Sequence, residues 1–214
     1  VAIGLVASGE GGIPSFQVTN STQSTISATI TVTPSYENNG IICDGNAETF
    51  TILVNPSPEM DNIDDIVLCN NEISTIIEFT TPNTDGNTTY TWTNDNTSIG
   101  LSSSGNGEIP SFTAINLNPI TEVATITVTP TYENNGVVCI GDPQTFSISV
   151  LSEIGISGST VDALDCNDPN SGNINITVTG GSGVYDFLWS NGAITEDLNN
   201  ICLLYTSDAA DEKV

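Results

Sequence analysis

The chain has 214 residues, which suits one or two domains, and it carries 26 acidic side chains against one basic side chain and no histidine. Three of the acids and the single Lys213 lie in residues 202–214, so residues 1–201 hold 23 acids and no Lys, Arg or His. Nucleic acid and anionic membrane are therefore not expected as partners, because their phosphates would find no cation. A Ser-His or Schiff-base mechanism lacks its parts. No apolar run approaches the ~20 residues that cross a bilayer, so no membrane insertion is expected.

An internal repeat dominates the sequence. Residues 1–54 align without a gap with residues 97–150, and 30 of those 54 positions are identical. The most similar stretch is Ala28–Cys43 (ATITVTPSYENNGIIC) and its copy Ala124–Cys139 (ATITVTPTYENNGVVC). The repeat period is therefore 96 residues, close to the length of one β-sandwich of about seven short strands.

The repeated stretch alternates apolar residues with threonine before it reaches a proline. Strict alternation predicts a strand with one buried face, which places Ile126 and Val128 inward and Thr127 outward. Asn135-Gly136 supplies the backbone freedom of a tight turn. No segment shows sustained helical periodicity, so the fold class is predicted to be all-β, with tandem β-sandwiches.

The period divides the chain into four parts. Residues 1–55 are predicted to be the C-terminal half of one repeat whose front half precedes this sequence, and residues 56–152 a complete repeat, with Asn55-Pro56-Ser57-Pro58 as a stiff linker. Tyr90 and Trp92 fall on one face and are predicted to centre the core. The strands expected in the complete repeat are Ile63–Cys69, Ile73–Thr80, Thr88–Thr93, Ser111–Asn116, Val123–Thr129, Val137–Cys139 and Gln144–Val150.

Residues 153–201 follow a different pattern and are predicted to be part of a shorter β module. Ile174, Ile176 and Val178 alternate with polar residues. Gly180–Gly183 then predicts a turn and Val184–Trp189 a second strand.

Residues 1–151 resemble the PKD-like, immunoglobulin-fold repeats of long surface proteins from gliding bacteria of the Bacteroidetes type. The residues that carry this resemblance are Tyr90–Asn96, Ile109–Ala114, Ala124–Pro130, Cys139 and Gln144–Phe146. Residues 166–201 resemble the beginning of a SprB-type repeat, named for a gliding-motility adhesin. That resemblance rests on Cys166-Asn167, Ile176–Gly181, Leu188–Gly192 and Glu196–Leu198.

The two resemblances imply an extracellular location on a large adhesin, exported by a type IX secretion route. The tail departs from this pattern, because Cys202–Glu212 (CLLYTSDAADE) resembles a translated sequencing adapter. Residues 202–214 are therefore treated as a non-native tail.

The function expected from these observations is that of a non-catalytic structural and adhesive segment of a secreted surface protein. Its partners would be neighbouring repeats of the same chain and extracellular glycans or solid surfaces. The alternative is a carbohydrate-binding accessory module of a secreted polysaccharide-degrading enzyme. That alternative needs exposed aromatic side chains in a row, and Tyr132 is the residue whose removal would test it.

Three aspartates form the first candidate metal site, and Asp165, Asn167 and Asp168 form a second, weaker one. Asp61, Asp64 and Asp65 cluster where the complete repeat begins, and oxygen-rich clusters at domain junctions hold Ca²⁺. They lack an Asp-x-Asp-x-Asp-Gly loop, so a solvated negative rim is the competing explanation. No other cofactor is expected.

Four cysteines outside the tail allow three disulfide pairings, and an exported protein favours disulfides. Zinc is the weaker explanation, since there is no His and no Cys-x-x-Cys. Pairing within the complete repeat joins Cys69 to Cys139, which is favoured because a domain that folds alone should carry its own cross-link. Pairing across the junctions would instead join Cys43 to Cys69 and Cys139 to Cys166.

Overall fold

The computed structural model describes residues 3–161 and 172–201, and in this part of the chain every regular element is a β-strand except one 3₁₀ turn, Thr97–Ile99. The predicted all-β fold class is confirmed. The strands are β1 (Ile26–Val32), β2 (Ser35–Asn38), β3 (Ile41–Asp44), β4 (Glu48–Val54), β5 (Ile66–Cys69), β6 (Asn87–Asn94), β7 (Ser104–Asn106), β8 (Glu122–Asn134), β9 (Val137–Ile140), β10 (Gln144–Leu151), β11 (Gly155–Val161), β12 (Asn173–Thr179) and β13 (Leu198–Asn199).

We use the predicted divisions as names: the half unit (residues 3–55), the complete unit (56–152) and the C-terminal module (153–201). The complete unit is built on one sheet with the strand order β5-β10-β8-β6-β7, and β9 pairs with the far part of β8. All these pairs are antiparallel except β5 with β10, which is parallel. The divisions themselves stay predictions.

The central strand β8 is longer than the alternation predicted. Its inward positions remain buried beyond Val128, through Pro130 and Tyr132. Pro130 is tolerated because it falls between two partners on the same side: the pairing with β10 ends at Val128 and the pairing with β9 begins at Thr131. The predicted inward faces of Ile126 and Val128 are confirmed, and so is the predicted core position of Tyr90 and Trp92.

The second layer of the complete unit is irregular. The strands predicted at Ile73–Thr80 and Ser111–Asn116 are absent from the described structure as regular strands. Isolated bridges at Ile73↔Thr113 and Ile77↔Ile109, and single backbone hydrogen bonds, connect this part of the layer. Ser74 explains part of the departure, because its buried hydroxyl accepts a hydrogen bond from the Phe112 N–H in addition to the backbone bond from Ser74 N to Phe112 O. The layer still closes the core: Ile77, Ile109 and Ala114 pack against the residues of the sheet.

The half unit repeats the pairing of the complete unit. β1 pairs with β4 from Ile26↔Val54 to Val32↔Glu48, and 96 residues later β8 pairs with β10 from Glu122↔Val150 to Val128↔Gln144. The hydrogen bonds of the buried Asn116 are also reproduced by the partly buried Asn20. Asn116 Nδ2 donates to the carbonyls of Ile120 and Val150, and Asn20 Nδ2 donates to those of Ser24 and Val54.

One difference separates the two copies. β8 is continuous, whereas its counterpart in the half unit is divided at Thr33-Pro34 into β1 and β2. β6 pairs with β8 along eight residues, from Asn87↔Glu133 to Asn94↔Ile126, and so spans the position of Pro130. Within the described residues, β1 pairs only with β4 and β2 only with β3. The strand of the half unit is therefore interrupted at Pro34, where no neighbouring strand like β6 in the described part of the chain pairs on both sides of the proline.

The C-terminal module forms a three-stranded antiparallel sheet in the order β11-β12-β13. The alternation of Ile174, Ile176 and Val178 in β12 is confirmed, since all three are partly buried and Asn175, Thr177 and Thr179 between and after them are exposed. The strand predicted at Val184–Trp189 is wrong: this described segment has no ladder partner, and Trp189 closes a turn with Ala193. β11 was not predicted. Asp165, Cys166, Asn167, Asp168 and the tail from Cys202 lie outside the described residues.

Candidate functional site

The densest polar contacts between two parts of the chain lie where the half unit meets the complete unit. Three side chains form a closed set of hydrogen bonds: Thr25 Oγ1 donates to Asn55 Oδ1 over 3.1 Å, and Asn134 Nδ2 donates to Thr25 Oγ1 over 2.8 Å. Asn55 Nδ2 completes the set at the carbonyl of Asn134, 3.4 Å away. We call these residues, with the Gln23 group described next, the unit junction.

A second group of bonds in the unit junction centres on Gln23 and Asn83. Gln23 Nε2 donates to Glu59 Oε2 over 2.9 Å, and Asn83 Nδ2 donates to Gln23 Oε1 over 3.1 Å. Asn83 Oδ1 also accepts from the Glu59 N–H, and the Thr84 N–H donates to the Gln23 carbonyl. The connection between the units is thus held by neutral amides and one carboxylate, with no cation.

The predicted linker is part of this packed junction. Pro56 is fully buried and Pro58 is buried, and Met60 immediately after them belongs to the core of the complete unit. Gly141 lies against Pro58, where an added Cβ would come within 2.9 Å of the proline Cβ. The prolines predicted a stiff linker, but their burial was not predictable from the sequence. The signal that was missed is the recurrence of Asn and Thr at the ends of the units.

The three predicted calcium ligands are not brought together as a metal site. Asp61 Oδ2 accepts from the Thr80 hydroxyl at 2.6 Å, and Asp65 Oδ1 accepts from the Ser147 N–H at 2.7 Å on β10. Among residues 3–161 and 172–201, no three His, Cys, Asp or Glu side chains converge so that they could hold a metal ion. The bond from Ser147 lowers the pKa of the Asp65 carboxyl. These aspartates bond to backbone and hydroxyl groups, which argues against the calcium site.

Another carboxylate is held at the start of β8. Glu122 accepts hydrogen bonds from Asn96 Nδ2 at 2.8 Å, from Asn118 Nδ2, and from the Ser98 hydroxyl. The amides of Asn96 and Asn118 favour the charged form and lower the pKa of Glu122. The adjacent Asp95 accepts from the Thr125 N–H at 2.6 Å. Both acids therefore fasten loops onto the start of β8.

The favoured disulfide between Cys69 and Cys139 is not confirmed by the structure. Both thiols are free, and so is that of Cys43. Cys69 is paired with Leu151, next to the end of β8 that begins at Glu122, while Cys139 is paired with Tyr132. Ten residues of strand separate those positions, roughly 33 Å at ~3.3 Å per residue, whereas a disulfide needs Cα atoms about 4.4–6.8 Å apart. The repeat places Cys43 and Cys139 at equivalent positions of successive units. It does not show at which end of the sheet Cys69 and Cys139 lie.

The aromatic residues do not support the carbohydrate-binding alternative. Tyr132 is fully buried, and its hydroxyl donates to the Thr84 carbonyl at 2.9 Å, so it offers no face to a sugar. Trp92 is a core residue. Trp189 is partly buried and donates through Nε1 to the Thr195 carbonyl. Tyr36 is exposed, but a single ring is not the row of aromatics that this alternative requires.

An open cleft of about 440 Å³ lies where the complete unit meets the C-terminal module. Glu153 is the one ionisable side chain in its lining, so the cleft offers no pair of carboxylates for glycoside hydrolysis. The other residues that line it are Asn70, Asn116–Pro119, Ile154, Gly155, Thr179 and Gly180. No helix in the described part of the chain is long and apolar enough to span a membrane.

Comparison with known proteins identifies one family in the chain. Residues 158–194 match the SprB repeat, which confirms the resemblance found in the C-terminal module and moves its start into β11. The match spans 37 of the 214 residues (194 − 158 + 1), and no family match covers the 96-residue units. Neither the curated proteins nor the solved structures contain a match.

Proposed function

We propose that this chain is a non-catalytic structural and adhesive segment of a large secreted cell-surface protein, of the kind used in gliding motility or surface adhesion. The observation that carries the proposal is the SprB repeat at residues 158–194. The repeat is a structural family, and the name comes from an adhesin of gliding bacteria. On this proposal the protein lies outside the cell and reaches the surface by a type IX route.

The units that precede the SprB repeat are proposed to be PKD-like immunoglobulin-fold domains. Their support is the resemblance in sequence, the all-β fold and the shared register of β1–β4 with β8–β10, displaced by 96 residues. Tandem units of one fold, each joined to the next, make an elongated stalk. The division of the chain into residues 1–55, 56–152 and 153–201 is part of the same proposal.

The charge of the chain fits an exposed stalk. Twenty-three acids in residues 1–201 have no Lys, Arg or His to pair with, so like charges along the molecule repel each other and oppose compaction and self-association. The partners proposed are neighbouring repeats, bonded as at the unit junction, and extracellular glycans or solid surfaces. Nucleic acid and the membrane interior are not proposed.

Antibody labelling of intact cells tests the location. An antibody raised against the folded chain should label unpermeabilised cells that make the protein, and protease added outside should remove the label. Labelling that requires permeabilisation would contradict a surface role.

A binding and turnover screen tests the adhesive role. Beads coated with the chain should adhere to a polysaccharide or solid surface more than beads coated with an unrelated acidic protein, without consuming the polysaccharide. Turnover that survives purification and is abolished by removing one specific acid would show an enzyme instead.

A further inference from the structure

The outer face of the sheet in the complete unit carries a regular array of threonines. Three successive pairs of directly opposed threonines join β6 to β8, and a fourth pair joins β8 to β10. All the residues of these pairs are exposed or partly exposed, although the strands on both sides of β8 are in place. We call this array the threonine face: Thr89, Thr91, Thr93, Thr127, Thr129, Thr131 and Thr145.

The strand pairing gives the threonine face a fixed spacing. Outward side chains recur roughly every 6.6 Å along a strand, at ~3.3 Å per residue, and neighbouring strands lie ~4.8 Å apart. Threonine is branched at Cβ, so its χ1 angle is restricted before any partner arrives. A partner that contacts the face therefore costs little side-chain entropy, because the hydroxyl and methyl groups are already ordered.

The hydroxyl groups of the threonine face are available to a partner. Within the described residues, only Thr89 Oγ1 bonds to a protein group, the Thr131 carbonyl at 3.4 Å. Thr80 and Thr81, by contrast, spend their hydroxyls on Asp61 and on the Glu59 carbonyl. Each hydroxyl can donate one hydrogen bond and accept two, so the face offers both functions at every position.

The threonine face is uncharged, although the chain has a net charge of −25. Among the described residues, the acids nearest to it along the strands lie at its margins. Asp65 and Asp95 accept hydrogen bonds from the Ser147 and Thr125 N–H groups, and Glu133 is the next outward residue after the last threonine of β8. The charge of the chain repels anionic surfaces, whereas a neutral surface can approach this face without such repulsion.

The half unit reproduces part of the array. Thr29 is paired with Thr51 and Thr31 with Thr49, and all four residues are exposed. The second pair is the counterpart of Thr127 with Thr145, 96 residues later. Two arrays on one chain allow weak contacts to add, because the second contact forms at high effective concentration once the first is made.

We propose that the threonine face binds the surface of a solid, neutral polysaccharide. Its hydroxyls would exchange hydrogen bonds with sugar hydroxyls, and its methyl groups would cover sugar C–H groups. The inference rests on the adhesive role proposed above and adds the contact surface and the class of ligand. An open sheet face has no walls that could enclose a single sugar, so it suits many packed chains better than one small ligand. A second copy of the chain is a poor occupant, since the acids at the margins would repel each other.

Microcrystalline cellulose is the neutral probe, and cross-linked carboxymethyl cellulose supplies the same backbone with negative charge. The full chain should bind cellulose saturably in a depletion assay and bind the carboxymethylated form at least roughly tenfold more weakly, because like charges repel. Binding to cellulose should be nearly unchanged from about 50 to 500 mM NaCl, since no ion pair contributes to it.

Variants at equivalent positions of both arrays test the contact. Thr31→Asp combined with Thr127→Asp should weaken binding roughly tenfold or more, because each carboxylate would lose water against the polysaccharide. Ser15→Asp combined with Ser111→Asp is the matched control. Ser111 is exposed in the second layer, across the core from the threonine face, and Ser15 is its exposed counterpart 96 residues earlier.

Thr31→Val combined with Thr127→Val removes two hydroxyls and keeps the shape of the side chains. It should weaken binding roughly fivefold, as expected for the loss of net hydrogen bonds. Valine is favoured in strands, so this variant should keep the fold, which the urea midpoint checks.

The outcomes separate the contact surface from the adhesive role. Cellulose binding that the Asp and Val variants leave equal to the control would overturn the threonine face and leave adhesion standing. Binding to silica or to carboxymethyl cellulose without binding to cellulose would do the same. Binding to none of these surfaces would overturn both proposals.

Discussion

Gly105 lies against the indole ring of Trp92, across the pairing of β6 with β7. A Cβ at position 105 would stand 2.6 Å from Cε2 of that ring and still closer to Cζ2. Trp92 is buried in the centre of the core and is opposite Val128 on its other neighbouring strand. The small residue on the edge strand thus makes room for the largest side chain of the unit.

Gly105→Ala is expected to destabilise the complete unit by about 1–3 kcal/mol, because the added methyl group overpacks the core against a fixed ring. Urea denaturation followed by Trp92 emission in a Trp189→Phe background measures the change. Gly12→Ala is the control, since a Cβ there meets no atom within 4 Å. Equal stability of the two variants would show that the indole moves aside at little cost.

The unit junction predicts a second effect. Asn134→Ala removes the donor to Thr25 and should speed opening of the junction roughly fivefold, the equivalent of about 1 kcal/mol for one net hydrogen bond. Proteolysis within residues 55–60 reports the opening. Asn38→Ala is the matched control, because Asn38 is the counterpart of Asn134 in the half unit and is exposed. Similar cleavage rates for both variants would mean that the buried prolines alone hold the junction.

Acid should weaken the contacts of Asp65 and Glu122. The pKa of each carboxyl is lowered in the folded protein, so each stabilises the fold above its unfolded-state pKa, and the contribution is lost as the pH falls through the folded-state pKa. Acid also neutralises the other carboxylates, and the loss of repulsion among them raises the stability of the fold. Each variant must therefore be compared with the parent chain at the same pH. Asp65→Asn and Glu122→Gln should be less stable than the parent at pH 7, and the gap should shrink toward pH 2–3.

Glu108→Gln is the control for those variants, because Glu108 is exposed and its replacement changes the net charge equally. Urea midpoints at a series of pH values supply the measurement. A gap that stays constant with pH would show that the hydrogen bonds, and not the charges, carry the difference.

Calcium should act only through ionic strength. The described acids form no three-ligand cluster, and screening at physiological salt shortens the Debye length to ~8 Å. NaCl and CaCl₂ at matched ionic strength should therefore raise the melting temperature of the complete unit by the same amount. A rise with CaCl₂ well beyond that of NaCl would restore Asp61, Asp64 and Asp65 as ligands.

The thiols of the complete unit should be free. Cys69 is exposed and Cys139 is partly exposed, so both should react with iodoacetamide in the native protein, Cys69 faster. Replacing either by Ser should leave the melting temperature of the oxidised protein unchanged. A Cys69–Cys139 cross-linked peptide in a non-reducing map of monomeric protein would contradict the strand register.

The sequence predicted the parts of the fold in which a residue pattern is compatible with only one local structure. Alternation fixed the inward faces of β8 and β12, and Asn135-Gly136 marked the turn before β9. The second layer was not predictable, because Ser74 and Asn116 satisfy backbone groups with side chains, and alternation alone cannot show where that happens. The Cys69–Cys139 pairing is not confirmed, and sequence distance could not decide it because it does not reveal which end of a sheet a residue occupies.

The site was less predictable than the fold. Asp61, Asp64 and Asp65 are close in sequence, but Asp61 and Asp65 accept hydrogen bonds from Thr80 and Ser147, which lie on different segments. The contacts between units depend on amides such as Asn55 and Asn134, which are 79 residues apart. The sequence around Asn55 and the sequence around Asn134 contain no pattern that predicts the hydrogen bond between them.

The parallel pairing of β5 with β10 has a mechanical consequence. These are the first and last strands of the complete unit, and the chain enters near Pro58 and leaves beyond Leu151. Tension along a stalk would pull β5 back toward its N-terminus and β10 toward its C-terminus, so the two neighbours would be dragged past each other lengthwise. All the ladder bonds between them would then bear the load together rather than unzip in turn. A unit tied in this way should resist stretching when the chain is pulled from its two ends.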